Sequence, residues 1–120
     1  MANYVDGFVV PVPKKRLAEY KAMSRKCMKV WKEYGAQDYV ECVADDVKPG
    51  KWTSFPQSVK LKKGEVVVFS WITYRSRAAR DRCMKKVMSD PRMASMVNLK
   101  NPPFDGKRMF WGGFRKIVEG

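Results

Sequence analysis

Residues Glu65 to Thr73 read EVVVFSWIT, and six of these nine side chains (Val66, Val67, Val68, Phe69, Trp71 and Ile72) are apolar and either β-branched or aromatic. A strand with one wet face alternates apolar and polar residues, whereas a nearly unbroken run is how a strand covered on both faces reads. Both sides of the sheet that holds this segment therefore need a cover. The chain offers two long helical patterns, enough for one face, so the other calls for a second subunit or a ligand.

The remaining elements follow from spacing. Asn3 to Val12 alternates as a first strand, with Tyr4, Asp6, Phe8 and Val10 on one face and Val5, Gly7 and Val9 on the other; Pro11 and Pro13 end it. Lys14 to Tyr34 has helical spacing, with Leu17, Tyr20, Ser24, Cys27, Met28, Trp31 and Tyr34 on one stripe and Gly35 at the C-cap. Its opposite side carries Lys14, Lys21, Arg25, Lys29 and Lys32, a solvated basic stripe. Ala36 to Ala44 reads as a second strand of mixed polarity at an edge. Asp45 to Gly64 is a long loop broken at Pro49-Gly50 and Pro56. Loops of that length are usually functional or wrap a neighbour, and Trp52 and Phe55 in it are expected to be buried in a partner subunit or over a cleft.

After the third strand, Ser76 is placed to N-cap a helix over Arg77 to Met88, and Asp90 to cap a short helix starting at Pro91. Asp105-Gly106 is a turn, and Lys107 to Ile117 is the last strand. The order is βαββαβ. It predicts an α+β, ferredoxin-like plait with an antiparallel-mixed four-stranded sheet, the first and third strands side by side in parallel and the fourth beside the first. Two such sheets packed face to face would cover the free faces and form a dimeric α/β barrel around a cavity.

Length and composition narrow the chemistry. At 120 residues the chain is read as a single domain spanning 1–120, long enough to bury about two thirds of its unfolded surface. No stretch approaches the roughly 20 apolar residues of a membrane helix and no secretory leader opens the chain, so the expectation is a cytoplasmic protein without a membrane partner. Cys27, Cys42 and Cys83 are odd in number and widely spaced, which suits small core hydrophobes in a reducing compartment. The complete absence of histidine excludes Ser-His and Cys-His pairs, an imidazole base, His-ligated haem and the common zinc hydrolases. No cofactor or metal site is expected. The Asp45-Asp46 doublet reads as a solvated turn, because Mg²⁺ needs further oxygen ligands at defined spacing. The net charge of +13 leans toward the second half, with 14 basic and 5 acidic residues after position 60 against 11 and 7 before it. Such an excess favours an anionic partner or simply solubility.

The motifs YVDGFVV at Tyr4 to Val10, Asp45-Asp46, VVFSW at Val67 to Trp71, Arg80-Asp81, MSDPRM at Met88 to Met93, PFDGKRM at Pro103 to Met109 and GGF at Gly112 to Phe114 resemble those of the YbaA-like bacterial family of unknown function. The resemblance implies membership of the dimeric α/β-barrel superfamily of ferredoxin-like proteins. Relatives there include cofactor-free monooxygenases, lactone isomerases and haem enzymes, so fold alone assigns no activity.

Strand pleating places Asp6 with Tyr4 and Phe8. If Val5, Gly7 and Val9 face the helices, Asp6 faces the cavity, within reach of Arg108 or Ser70. One expectation is a structural Asp6–Arg108 pair. The other makes Asp6 a general base and Arg108 a clamp for an anionic substrate, with Tyr4, Phe8, Ser70, Trp71 and Phe110 contacting the ligand. The function that follows is a homodimer binding a small anionic or aromatic organic ligand at the sheet face, with cofactor-free turnover as an open option. The alternatives are a structural homodimer and non-specific nucleic-acid binding through basic helix faces, notably Arg75 to Lys86. RNA recognition of the stacking type is disfavoured, because Glu65, Val67 and Ser70 stand where the third strand would need aromatic residues. Gly112-Gly113 is expected to mark a bulge or a close backbone approach.

Overall fold

The computed structural model describes residues 3–97 and 99–120. Four strands, β1 (Tyr4–Pro13), β2 (Asp38–Val43), β3 (Glu65–Tyr74) and β4 (Phe110–Arg115), form one sheet in the order β2-β3-β1-β4. Helices α1 (Leu17–Glu33), α3 (Arg77–Met88) and α4 (Pro91–Val97) pack on it, and a single turn of helix, α2 (Phe55–Ser58), lies in the long loop. The structure is thus α+β. Every neighbouring pair is antiparallel, which corrects the expected parallel pairing of the first and third strands. β3 lies between β1 and β2 and opposes both, so the strands joined through α1 are parallel to each other but not adjacent.

The local chemistry explains the element ends. Gly35 takes φ +111°, the left-handed conformation that ends α1 where a side chain would be strained. Lys14 to Arg16 forms a 3-10 turn before α1. Ser76 caps α3 by accepting from the Ala79 N–H at 3.1 Å, and Asp90 caps the next helix by accepting from the Arg92 N–H at 2.8 Å. The last strand begins later than the sequence suggests, at Phe110, because Asp105 holds the preceding residues in a turn: its carboxylate accepts from the Lys107 N–H at 3.0 Å and the Arg108 side chain at 2.7 Å.

The face carrying Tyr4, Asp6, Phe8 and Val10 is the one the helices cover, the reverse of the orientation that would have put Asp6 toward a second subunit. Its neighbours across the sheet, Val68, Ile72 and Tyr74, complete an apolar surface for Tyr20, Cys27, Val30 and Trp31 of α1 and Cys83 and Val87 of α3. Cys27 and Cys83 are core residues, and burial pushes the Cys27 thiol up to about 11. Cys42 corrects the expectation of three core thiols, because the edge strand β2 leaves it exposed.

The other face is not left wholly to a partner. The loop from Asp45 to Gly64 crosses it as a strap, seating Val59 and Leu61 on Val9 and Val67. Trp52 and Phe55 are not the residues that seat it: Trp52 is 86 % exposed, and half-exposed Phe55 lies 5.8 Å from the Phe69 ring. Arg108 staples the strap down. Its guanidinium donates to the Val59 and Lys60 carbonyls at 3.3 and 3.1 Å and to the Glu65 carboxylate at 2.8 and 2.6 Å. Removing it strands two carboxylates and two carbonyls, so Arg108→Ala is expected to lower stability by on the order of 2 kcal/mol in urea denaturation at pH 7. Arg108 holds the Glu65 and Asp105 carboxyls below their ordinary values. The stabilisation is therefore present above the ordinary carboxylate range, near pH ~4, and fades as pH falls through the lowered values.

Candidate functional site

Between the helices and the sheet lies a cavity of about 430 Å³, within the size range of small-molecule sites. Its floor includes Phe8 and Val10 of β1, Ser70 and Ile72 of β3 and Trp111 of β4, and its roof includes Met23, Cys27 and Trp31 of α1 and Met84 and Met88 of α3. Met93, Phe104 and Met109 close one side. Long, unbranched methionines fill irregular space and adapt to different shapes, which makes a Met-rich wall suited to a guest. Phe8 stacks on Trp111 at 5.9 Å and Trp31 meets Tyr39 at 6.1 Å.

The polar groups of this cavity gather at one point. Glu41 of β2 stands opposite Ser70 in the β2–β3 register, and α1 lays Tyr20 and Ser24, four residues apart, over it. The Tyr20 hydroxyl donates to both carboxylate oxygens at 2.9 and 3.0 Å, Ser24 donates at 2.5 Å, and the Ser24 and Tyr39 hydroxyls lie 3.2 Å apart. Burial and the neighbouring carboxylate raise the Tyr20 pKa far above its ordinary value, so its hydroxyl stays protonated and keeps donating.

Beside the cavity, under α3, sits a second polar group. Asp6 is fully buried, with Arg80 Nε 3.3 Å from its Oδ1. Arg80 also donates to the Tyr4 hydroxyl at 3.1 Å and lies over the Tyr4 and Trp111 rings. Burial raises the Asp6 pKa, and the Arg80 charge works against that rise. Gly113 is required here by a close approach: a Cβ on it would fall 2.2 Å from Arg80 Nη2 and 2.4 Å from the Tyr4 hydroxyl oxygen.

The structure thus redistributes the residues named from sequence. Asp6 and Arg108 do not meet: Arg80 is the partner of Asp6, and Arg108 binds Glu65, Asp105 and the strap. The reason is the face assignment, which turns Asp6 toward α3, where Arg80 projects inward. Phe8, Ser70 and Trp71 border the cavity, although alternation along β3 carries the Trp71 ring to the far side, 5.7 Å from Phe69. Tyr4 belongs with Arg80, and Phe110, paired with Val9, lies on the outer face, 47 % exposed. Tyr20, Ser24, Tyr39 and Glu41 are the group that sequence reasoning left out. The signal was present in the polar Ser24 on the apolar stripe of α1 and in Glu41 two residues from Tyr39. Arg92 braces α1 against α4 through Glu33 and Asp90. Among the described residues no group of three His, Cys, Asp or Glu side chains is placed to hold a metal ion, and no helix is long and apolar enough to cross a membrane.

Fold and site together define a small α+β protein with one four-stranded antiparallel sheet and a Met- and aromatic-lined pocket beneath its helices. The chain belongs to the family described as protein of unknown function DUF1428, whose model matches residues 3–106. It is 49 % identical to "Uncharacterized protein YbaA" of Escherichia coli K12 over 117 residues, covering 98 % of each chain, and to the same degree to that of Shigella flexneri. Among solved structures it is similar to "De novo designed protein Foldit4", with a TM-score of 0.50 and 11 % identity over 96 % of this chain and 99 % of that one. That likeness concerns fold alone.

Arg80→Ala would leave the buried Asp6 carboxylate without a cation, at an expected cost of about 3 kcal/mol at pH 7 by chemical denaturation. Because the Asp6 pKa is already raised in the folded state, the deficit should shrink as pH falls from 7 toward 4, where the protonated carboxyl no longer needs the charge.

Proposed function

We propose that the chain is a ferredoxin-like plait that binds a small organic molecule with an aromatic or other apolar body in the cavity between helices and sheet. The observation that carries this reading is the cavity itself: about 430 Å³ lined by methionines and aromatic rings, with its polar groups converging on Glu41. Cores are normally packed without such voids, and convergent polar groups in an apolar hollow are the pattern of a ligand site. Asp6 and Arg108, bound into structural pairs, serve the scaffold in this reading. Benzyl alcohol, an aromatic that does not absorb where tryptophan is selectively excited, is a suitable probe. Its titration at up to millimolar concentration should shift Trp31 and Trp111 fluorescence saturably, and Ser70→Phe, which fills the cavity floor, should abolish saturation while the far-UV circular dichroism stays native. Linear, non-saturating quenching of the wild type would reject the site.

The same reading includes a homodimer. Phe69, Phe110 and Phe114 remain 42, 47 and 64 % exposed on the outer face beyond the strap, and Trp52 in the N-terminal half of the strap is exposed as well. Several exposed aromatics on one face of a sheet mark an interaction surface. A second copy supplies an equally apolar face, and symmetric pairing is the commonest way such faces are covered. Sedimentation at micromolar concentration should find a dimer that the double substitution Phe110→Asp/Phe114→Asp converts to folded monomer; a wild-type monomer at that concentration would remove the dimer from the proposal.

A further inference from the structure

The carboxylate at the cavity wall differs from the other half-buried and buried carboxylates that line the protein's ion pairs. Asp6 is paired with Arg80, Glu65 and Asp105 with Arg108, and Asp90 with Arg92. Glu41 forms no ion pair among the described residues, although the chain holds 25 basic side chains against 12 acidic ones. Two hydroxyl protons, from Tyr20 and Ser24, are what it receives. A carboxylate has about four acceptor positions, so half of its capacity is still open. Among the cavity-lining residues Glu41 is the single charged side chain, and none is Lys or Arg. Lys21 and Arg25 flank Glu41 on the outer side of α1, where a shallow surface hollow meets the same carboxylate, but neither pairs with it.

The surroundings add to the negative potential. Phe8, Tyr20, Trp31, Tyr39 and Trp111 contribute rings to the lining, and aromatic faces attract cations, most strongly where water is excluded. Methionine sulfurs are polarizable and tolerate a charged guest better than aliphatic carbon does. An anion in this space would meet an unneutralised carboxylate with no basic lining residue to offset it.

On the reading that the cavity is a ligand site, we propose that its guest is an organic ammonium ion: a protonated amine with an aromatic or branched apolar body, whose nitrogen donates to Glu41 while its body lies among Trp31, Phe8 and the methionines. This replaces the anionic ligand expected from sequence, for which Arg108 was the intended clamp and from which that residue is now seen to be turned away. The Tyr20 and Ser24 hydroxyls hold the carboxylate in place, so the site is preorganised for a cation without spending a protein charge on neutralising it.

Three nearly isosteric probes separate the parts of this reading: 2-phenylethylamine, protonated at neutral pH, neutral 2-phenylethanol, and anionic 3-phenylpropionate. Binding is followed at pH 7 by chemical-shift changes of the Trp31 and Trp111 indole protons. The amine should bind at least about tenfold more tightly than the alcohol, the combined scale of one charge-assisted hydrogen bond and one cation–ring contact, and the propionate should bind most weakly. Glu41→Gln retains one acceptor oxygen for Tyr20 and Ser24 but no charge, so it should erase the amine's advantage, lowering amine affinity by a larger factor than alcohol affinity. Equal affinity of amine and alcohol for the wild type, or an advantage that survives Glu41→Gln, overturns the ammonium assignment while leaving the cavity as a ligand site. Failure of all three probes to bind at millimolar concentration overturns the cavity reading as well.

Discussion

The pairing of β1 with β3 is the constraint on which the rest depends. Ten residues of each strand are in register, from Tyr4 opposite Tyr74 to Pro13 opposite Glu65. Because side chains alternate, that one register decides which residues go under the helices and which under the strap. A slip of one position would move Asp6 to the outer face and Val9 beneath α1. It would also separate Phe8 from Ser70 and break up the floor of the cavity. The register is held at one end by the core around Val10, Val12 and Val68 and at the other by the fully buried Tyr74 and the Asp6–Arg80 pair.

Two largely buried arginines act on this frame from opposite sides. Arg80 comes from α3 and fixes the helix layer to β1 through Asp6 and Tyr4. Arg108 comes from the turn before β4 and fixes the outer strap to the start of β3 through Glu65. Each side chain is largely buried, 16 and 14 % exposed, so each works where the dielectric is low and a missing partner is costly. The cavity contains no such pair among the described residues; its polar groups are hydroxyls around a lone carboxylate. Charge pairs on either side of a methionine-lined space give a cavity with a fixed frame and side chains that can adopt several shapes.

Much of this was legible in the sequence because it rests on local periodicity. The EVVVFSWIT run does mark a central strand, covered by the helices on one face and only in part, by the strap over Val67, on the other; the stripe from Leu17 to Trp31 does face the core, and Gly35, Ser76 and Asp90 do end or begin helices where their chemistry indicates. What escaped depends on contacts across long separations. Alternation shows that Tyr4, Asp6 and Phe8 share a face but not which face, so Asp6 was assigned the wrong arginine. The same ambiguity hid Glu41, whose meaning comes from Tyr20 and Ser24 lying over it from another element. The strap escaped for a different reason: the large residues Trp52 and Phe55 drew attention in the loop, whereas Val59 and Leu61, smaller and without periodic context, make the seal.

The strap has a further consequence for how the chain can vary. Its C-terminal part is pinned by Val59, Leu61 and the Arg108 bonds, and its N-terminal end leaves β2 at Val43, but 45–53 stands exposed between those anchors. Lengthening an exposed surface connection adds only a logarithmic closure entropy, about 0.6 kcal/mol per doubling. That stretch is accordingly where extra residues, or an entire inserted module, would disturb the sheet least, and where a cut would leave two pieces still clasped to one another by β-sheet hydrogen bonds and by Arg80 on Asp6 and Tyr4.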